Sequence, residues 1–436
     1  MALRLNIEEL EDPTHRFDYG SPSATHGNVG KGLSRYGPLD SQHNDWIDGS
    51  TLTVVYPEQW QSEGERLINV LKNGYEYFGG GFERFFKLDE ITINGLEMEG
   101  DSVANYKEAA EEVVRRNLDG VAIFLTAERM KRLGQVSPYW IAKAKLTEQG
   151  IPTQMMRVGN IEDDYDLKYA IVNTVCQIYA KLGGKPWGVE ETGYNADLVV
   201  GIGRSYYQPE KHGSLERTLG FAAAYQSNGS FFWFDSETSG GDVSELETKL
   251  TDTICNVVDE YVKREQPPRR IIIHTPERIG DTERSARRKI EDEYDNTEVV
   301  LLHLNTTHPY KTHDPNHSSG LPEPGWFLQT GYNKGLVVTD GRKRFRNGSA
   351  SPIAMRVEGI EEITRDDMVG LAQNTFSLCS VYWKDQMGAG TPITLRYAKD
   401  IAELFEASQY LAREKVISLN PNQLVNDRLQ DRPWFL

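Results

Sequence analysis

The chain has 436 residues, enough for two or three domains and a sizeable core. Lys and Arg total 48 against 65 Asp and Glu, a formal charge of −17. That balance excludes coating nucleic acid through bulk positive charge, which needs many cations against phosphate. A hydrophobic content of 38% excludes a disordered chain.

Cys176, Cys255 and Cys379 are far apart and odd in number. A disulfide framework or cysteine zinc site is therefore not expected, and a reducing, cytoplasmic setting is. The start, MALRLNIEELEDP, is acidic and lacks the apolar centre of a signal peptide. No apolar run is long enough to predict a membrane span.

Residues 1–50 are rich in Gly, Pro, Ser and His and read as an extended arm that must lie on something to be ordered. From residue 51 strands alternate with helices. Leu52–Tyr56 is a strand closed by Pro57, and Gln61–Lys72 is an amphipathic helix. Gly79-Gly80-Gly81 lacks the Lys-Ser/Thr of a phosphate loop and reads as a turn, with Phe78, Phe82, Phe85 and Phe86 as core. Asp101 or Ser102 caps a helix through Arg116. Val121–Leu125 is a strand, Ser137-Pro138 opens a helix ended by Gly150, and Ile151–Val158 is strand-like. Asp166–Leu182 is a long helix stopped by Gly183-Gly184. This alternation predicts a parallel sheet with helices on both faces, over residues 51–190.

A second domain, 191–436, opens with the apolar strand Leu198–Ile202. Leu219–Tyr225 and Ser230–Phe234 continue it as a meander. Then come a helix over Ser244–Lys263, a strand over Arg270–His274, a helix over Thr282–Tyr294 and a strand over Val299–Leu304. A hairpin over Gly335–Val357 and helices near 366–377 and 397–413 complete the chain. Strands first and helix–strand units after suggest an RNase H-like layout, which periodicity alone does not separate from other α/β folds.

Tyr139 and Lys143 are four apart on one helix face, and Gln154 lies on the next strand. Asn173, Gln177 and Lys181 form a polar stripe on the following helix. A ring, two ammonium groups, amides and a helix start make an anion pocket; a solvated helix face is the plainer reading of the spacing alone.

The segments SPYWIAKAKLTEQGIPTQ and NTVCQIYAKLGG resemble the MID domain of Argonaute proteins. The resemblance implies that Tyr139, Lys143, Gln154 and Lys181 hold the 5′ phosphate of a guide strand and that Asn173 touches the guide backbone. It also implies a divalent cation, Mg²⁺, held by Gln177, the Leu436 carboxylate and guide phosphates. Hard oxygen ligands suit that ion. VVGIGRS, IIIHTPERI and TPITLRYAKDIAELF resemble a PIWI domain, and KGLSRYGPLD resembles the start of short prokaryotic Argonautes. The expected fold is α/β, a Rossmann-like MID domain followed by an RNase H-like PIWI domain, with no room for the N-terminal and PAZ domains of long members.

Slicing members carry an Asp-Glu-Asp-Asp/His set for two metals. The corresponding positions here are Gly203, Pro276 (within His274-Thr275-Pro276) and Lys399, none of them a carboxylate. Asp235 and Glu237 are the nearest carboxylates on the meander. The resemblance thus implies an inactive Argonaute, not itself an enzyme. It would carry a small guide RNA to complementary single-stranded DNA and activate an APAZ-type effector protein (TIR, Sir2 or nuclease) in defence against plasmids or phage. A stand-alone homodimeric guide-binding protein, an RNase H-type nuclease with rearranged metals, and an α/β protein binding sugars or nucleotides are the alternatives.

Arg342, Lys343, Arg344 and Arg346 form the strongest basic cluster, on the tip of the predicted hairpin, and are candidates for nucleic-acid contact. His303, His308, His313 and His317 have weak zinc spacing and read as a surface loop.

Overall fold

The computed structural model of the chain describes all residues except 1–6, 117–119, 128–133, 135, 191–195, 209, 211–212, 343–348 and 419–424. Residues 7–50 contribute β1 (Ile7–Glu9), β2 (His15–Arg16), β3 (Thr25–His26) and α1 (Val29–Tyr36). The first half then runs β4 (Thr51–Pro57), α2 (Gln61–Asn73), β5 (Gly74–Tyr75), β6 (Phe78–Gly79), α3 (Gly81–Phe86), β7 (Thr92–Met98), α4 (Val103–Arg115), β8 (Gly120–Thr126), α5 (Pro138–Glu148), β9 (Thr153–Arg157), α6 (Gly159–Glu162) and α7 (Asp164–Lys181).

Strands β7, β4, β8 and β9 form a parallel sheet in that order. The central strand β4 is apolar throughout because both its faces are covered: Val54 joins one core cluster and Val55 another. The edge strand β7 was not predicted. It is half exposed, and Asn94, Gly95 and Glu97 break its apolar pattern. Ser102 caps α4 by accepting from the Asn105 amide, whereas Ser137 makes no such bond and α5 starts on Pro138 alone. Asp163 caps α7 by accepting from the Tyr165 and Asp166 amides, so that helix starts two residues before the predicted Asp166.

After β10 (Gly188–Val189) the second half runs β11 (Leu198–Tyr207), β12 (Arg217–Gln226), β13 (Phe231–Ser239), α8 (Val243–Arg264), β14 (Arg270–Thr275), α9 (Asp281–Glu293) and β15 (Glu298–Asn305). It continues with β16 (Trp326–Gly331), β17 (Lys334–Val338), β18 (Ile353–Glu358), α10 (Arg365–Ser377) and α11 (Ile393–Arg413). Among the described residues these strands and β1 form a nine-stranded sheet, β1-β16-β17-β18-β15-β14-β11-β12-β13. One face (Leu198, Val200, Ile271, Ile273) packs with Leu250, Ile254 and Ile290 of α8 and α9. The other (Val199, Ile272, Val300) shares a core with Leu371 of α10 and Ile401 of α11. The predicted hairpin is β17–β18. Its neighbour β16 was missed because Gln329, Thr330 and Gly331 end a short apolar start.

Residues 7–50 lie across both halves. β1 pairs with β16, and β2 pairs with β10 between the halves. The Tyr19 hydroxyl accepts from Asn228 Nδ2 at 2.6 Å. Phe17, Leu33 and Leu39 are buried. Trp434, Phe435 and Leu436 are buried in the same core, where Phe435 packs on Phe231 and Tyr397.

Candidate anion pocket between the two halves

Helix α5 presents Tyr139 in its first turn and Lys143 one turn on, with the ammonium 5.4 Å from the Tyr139 ring centre. Lys143 Nζ donates to the main-chain oxygens of Phe435 at 2.8 Å and Leu436 at 3.0 Å. Helix α7 ends on Lys181, whose Nζ donates to Gln154 Oε1 from β9. Gln154 Nε2 in turn donates to the Met155 carbonyl at 3.2 Å. Helix α5, strand β9, the end of α7 and the C-terminal segment therefore bring Tyr139, Lys143, Gln154, Lys181 and Leu436 into one place.

Lys143 and Lys181 are 2% and 0% exposed. Burial, then the Lys384 ammonium, pushes the Lys143 pKa well below the usual lysine range, against the pull of Asp400. Burial, then Lys143 and Lys384, does the same to Lys181. Burial raises the Tyr139 hydroxyl, with Asp400, Glu403 and Tyr382 adding to it. Crowded, desolvated ammonium groups are costly until an anion joins them.

Lys384 was not found by sequence reasoning. It stands on the loop between α10 and α11, donates to Asp400 Oδ2 at 2.7 Å and lies 3.5 Å from the Phe435 oxygen. A loop residue has no periodicity, and its one signal was a lone cation in the apolar run Val381-Tyr382-Trp383.

The α7 stripe continues away from the pocket. Gln177 Nε2 donates to the Asn173 carbonyl at 3.0 Å. Asn173 Oδ1 accepts from the amide and the side chain of Gln386, on the same loop as Lys384, at 3.3 and 3.2 Å. Gln177 Oε1 and the Leu436 main-chain oxygen would offer hard oxygen donors to a divalent cation, the chemistry that suits Mg²⁺. Among the described residues no group of three His, Cys, Asp or Glu is placed to bind a metal, which includes the four histidines considered above. His308 Nε2 instead lies 2.6 Å from the Pro352 carbonyl.

Gly203, Pro276 and Lys399, the positions that the resemblance sets against the slicer carboxylates, lie on β11, just past β14 and on α11. A Cβ at Gly203 would run into the ring of Phe221, itself 1% exposed. At Gly201 a Cβ would sit 2.8 Å from the Thr394 carbonyl, so α11 lies close on this face. His274 pairs with Gly201 across the ladder, is buried, and has Nδ1 2.9 Å from Thr394 Oγ1. Burial pushes its pKa down to about 3. Pro276 is exposed beyond the end of β14, and the exposed Lys399 lies 3.8 Å from Glu403. Asp235 and Glu237 do not complete this face. Asp235 accepts from Asn256 of α8, and Glu237 lies 4.0 Å from Lys249, so both face the opposite side of the sheet.

Arg342 is not a free nucleic-acid contact. Its guanidinium pairs with Asp314 at 3.0 Å and Glu323 at 3.2 Å and donates to the Leu321 carbonyl. Lys343, Arg344 and Arg346 lie outside the described residues.

A parallel Rossmann-like sheet, then an RNase H-like sheet, with a buried lysine cluster in the seam, is the layout of a Piwi-domain protein. The chain belongs to that family: the Piwi domain matches residues 125–409. Its arrangement is that of a short prokaryotic Argonaute, MID then PIWI. It is 22% identical to the Argonaute of Cereibacter sphaeroides (strain ATCC 17025 / ATH 2.4.3) over 444 residues, 93% of this chain and 56% of that protein. It is also 22% identical to a Piwi protein of Archaeoglobus fulgidus over 450 residues, 97% of each. The fold is similar to Clostridium butyricum Argonaute bound to a guide DNA and a 19-mer target DNA, with a TM-score of 0.70 at 16% identity. That match covers 92% of this chain and 53% of the other. Drosophila Piwi gives a TM-score of 0.69 at 14% identity, over 99% and 56%. The chain thus spans about half the length of these Argonautes and of Drosophila Piwi, and nearly all of the archaeal Piwi protein. No helix among the described residues is long and apolar enough to cross a membrane.

Proposed function

We propose that this chain seats the 5′ phosphate of a short guide RNA and uses the guide to recognise complementary single-stranded DNA without cutting it. The observation that carries the reading is the cluster of Lys143, Lys181 and Lys384, with Asp400 the carboxylate paired to Lys384. A terminal phosphate supplies the charge the cluster lacks. Tyr139 and Gln154 orient it, Asn173 holds the backbone beyond, and Gln177 with the Leu436 oxygen would hold Mg²⁺. The ion, when bound, would neutralise guide phosphates that otherwise repel one another.

Non-cleavage is supported by Gly203, Pro276 and Lys399, which offer no carboxylate, and by the Phe221 ring filling the space at Gly203. Recognition then needs a reader elsewhere, which we assign to a separate APAZ-type effector protein acting against plasmids or phage.

Fluorescence polarisation with a short RNA tests the pocket. A 5′-phosphorylated strand is expected to bind roughly 100-fold tighter than its 5′-hydroxyl twin, with the preference lost in Lys143→Ala/Lys181→Ala. Equal affinity for the two strands overturns the pocket. Labelled complementary DNA should stay intact with guide and Mg²⁺; a site-specific product lost on chelation overturns non-cleavage.

A further inference from the structure

The row that ends in the pocket at Lys181 begins, at the other end of α7, with two exposed tyrosines. Tyr165, Tyr169, Asn173, Gln177 and Lys181 recur every four residues, so they form one row that winds around the helix by about 40° per step. Tyr165 is 64% exposed and Tyr169 50%, and their rings meet edge to face at 5.2 Å. A third tyrosine joins them from a different element. Tyr77, 56% exposed, is at the tip of the β5–β6 hairpin with its ring 6.0 Å from Tyr169.

The hairpin holds Tyr77 in a fixed place. Gly74 pairs with Gly79 and Tyr75 with Phe78, which leaves Glu76 and Tyr77 as the turn. Glu76 sits at φ 48, a left-handed conformation that costs a non-glycine residue energy. Phe78 anchors the turn from below against Phe85. The glycines and phenylalanines around residue 80 therefore present a rigid aromatic surface, not a phosphate loop.

The charge around the rings defines what fits there. Glu76, Glu162, Asp163, Asp164 and Asp166 are exposed beside them. Arg66 pairs with Asp164, and Lys168 already stands over the Tyr165 and Tyr169 rings at 4.6 and 5.1 Å. Phosphate would be repelled by this frame. A second copy docking the same face would set carboxylates against carboxylates. Guanidinium groups satisfy both features, stacking on tyrosine faces and pairing with carboxylates.

We propose that Tyr77, Tyr165 and Tyr169 with the surrounding carboxylates form a docking surface for an arginine-bearing segment of a partner protein. Tyr169 and Tyr165 lie about 18 and 24 Å along α7 from Lys181, so the surface works apart from the guide pocket.

The test uses the full chain with 3-fluorotyrosine incorporated and two synthetic probes, an arginine–glycine repeat peptide and the same peptide with citrulline for arginine. The arginine peptide should shift the ¹⁹F resonances of Tyr165 and Tyr169, and the citrulline peptide should not. Tyr77→Ala/Tyr165→Ala/Tyr169→Ala should weaken arginine-peptide binding at least about fivefold, with unchanged melting temperature and guide affinity. Glu361→Gln/Glu362→Gln, remote exposed carboxylates, should leave it unchanged. Equal weakening by the remote variant, no loss in the tyrosine variant, or ¹⁹F shifts produced instead by single-stranded DNA or by raising the protein concentration overturns the proposal.

Discussion

Lys143 and Leu436 meet across 293 positions of sequence, the ammonium 3.0 Å from the Leu436 main-chain oxygen. The contact closes the seam between the halves over the pocket, since Phe435 accepts from the same ammonium at 2.8 Å. Despite these two acceptors, burial makes the charged form of Lys143 costly in the free protein. Lys143→Met, of similar volume and without charge, is therefore expected to leave the unfolding free energy unchanged or higher by about 1–2 kcal/mol. The same variant should lose about 100-fold in affinity for a 5′-phosphorylated guide. Urea unfolding and polarisation titrations separate the two effects; a loss of stability matching the loss of affinity would make Lys143 structural.

Guide affinity should fall as pH rises toward the ordinary lysine range. In the free pocket burial holds the Lys143 and Lys181 ammonium groups below their usual range. A bound phosphate favours the charged form and raises both pKa values again. Binding therefore takes up protons wherever the free amines are neutral, and each rise in pH opposes it. Calorimetry in two buffers of different ionisation enthalpy measures the uptake directly. Zero net uptake across the range would mean the free lysines are already charged.

What the sequence made legible was local. Tyr139, Lys143 and Lys181 sit on helices whose spacing and stops are written in Pro138, Gly150 and Gly183-Gly184, so their common face could be read. Lys384 was hidden because it reaches the pocket from a loop on the other half. The Arg342 pairing was hidden for the same reason: Asp314 and Glu323 are distant in sequence. Strand β7 was obscured by its exposed edge, and residues 7–50 by their glycines and prolines, although Phe17 and Leu39 are fully buried there. The absence of a carboxylate at Gly203 was visible in the sequence, but the Phe221 ring in its place was not.

Asp40 couples the N-terminal segment to α7 and makes stability depend on pH. It accepts from the Tyr179 hydroxyl at 2.7 Å and from the Lys185 amide at 2.8 Å, and burial raises its pKa to about 6. The folded state thus holds this proton more tightly than the unfolded chain. The stability it contributes is present below the unfolded carboxylate pKa and is lost as pH rises through about 6. Asp40→Asn removes that dependence. The wild-type advantage in unfolding free energy over Asp40→Asn should shrink by on the order of 3 kcal/mol between pH 4 and 7. Urea unfolding across that range checks it, and a constant difference contradicts it.

Gly203→Asp restores the carboxylate of slicing members in name only. The new Cβ runs into the Phe221 ring, which is buried beside Phe234. Moving that ring should cost about 1–3 kcal/mol, read as a lower melting temperature. Cleavage should not appear, because Pro276 and Lys399 still supply no metal ligand and Lys399 carries positive charge. Gly203→Asp/Phe221→Ala makes room for the side chain and should recover less than it loses, since the ring's own packing is gone. Metal-dependent product from labelled complementary DNA in either variant would show that a single carboxylate is enough to rebuild the centre, against the geometry of β11 and α11.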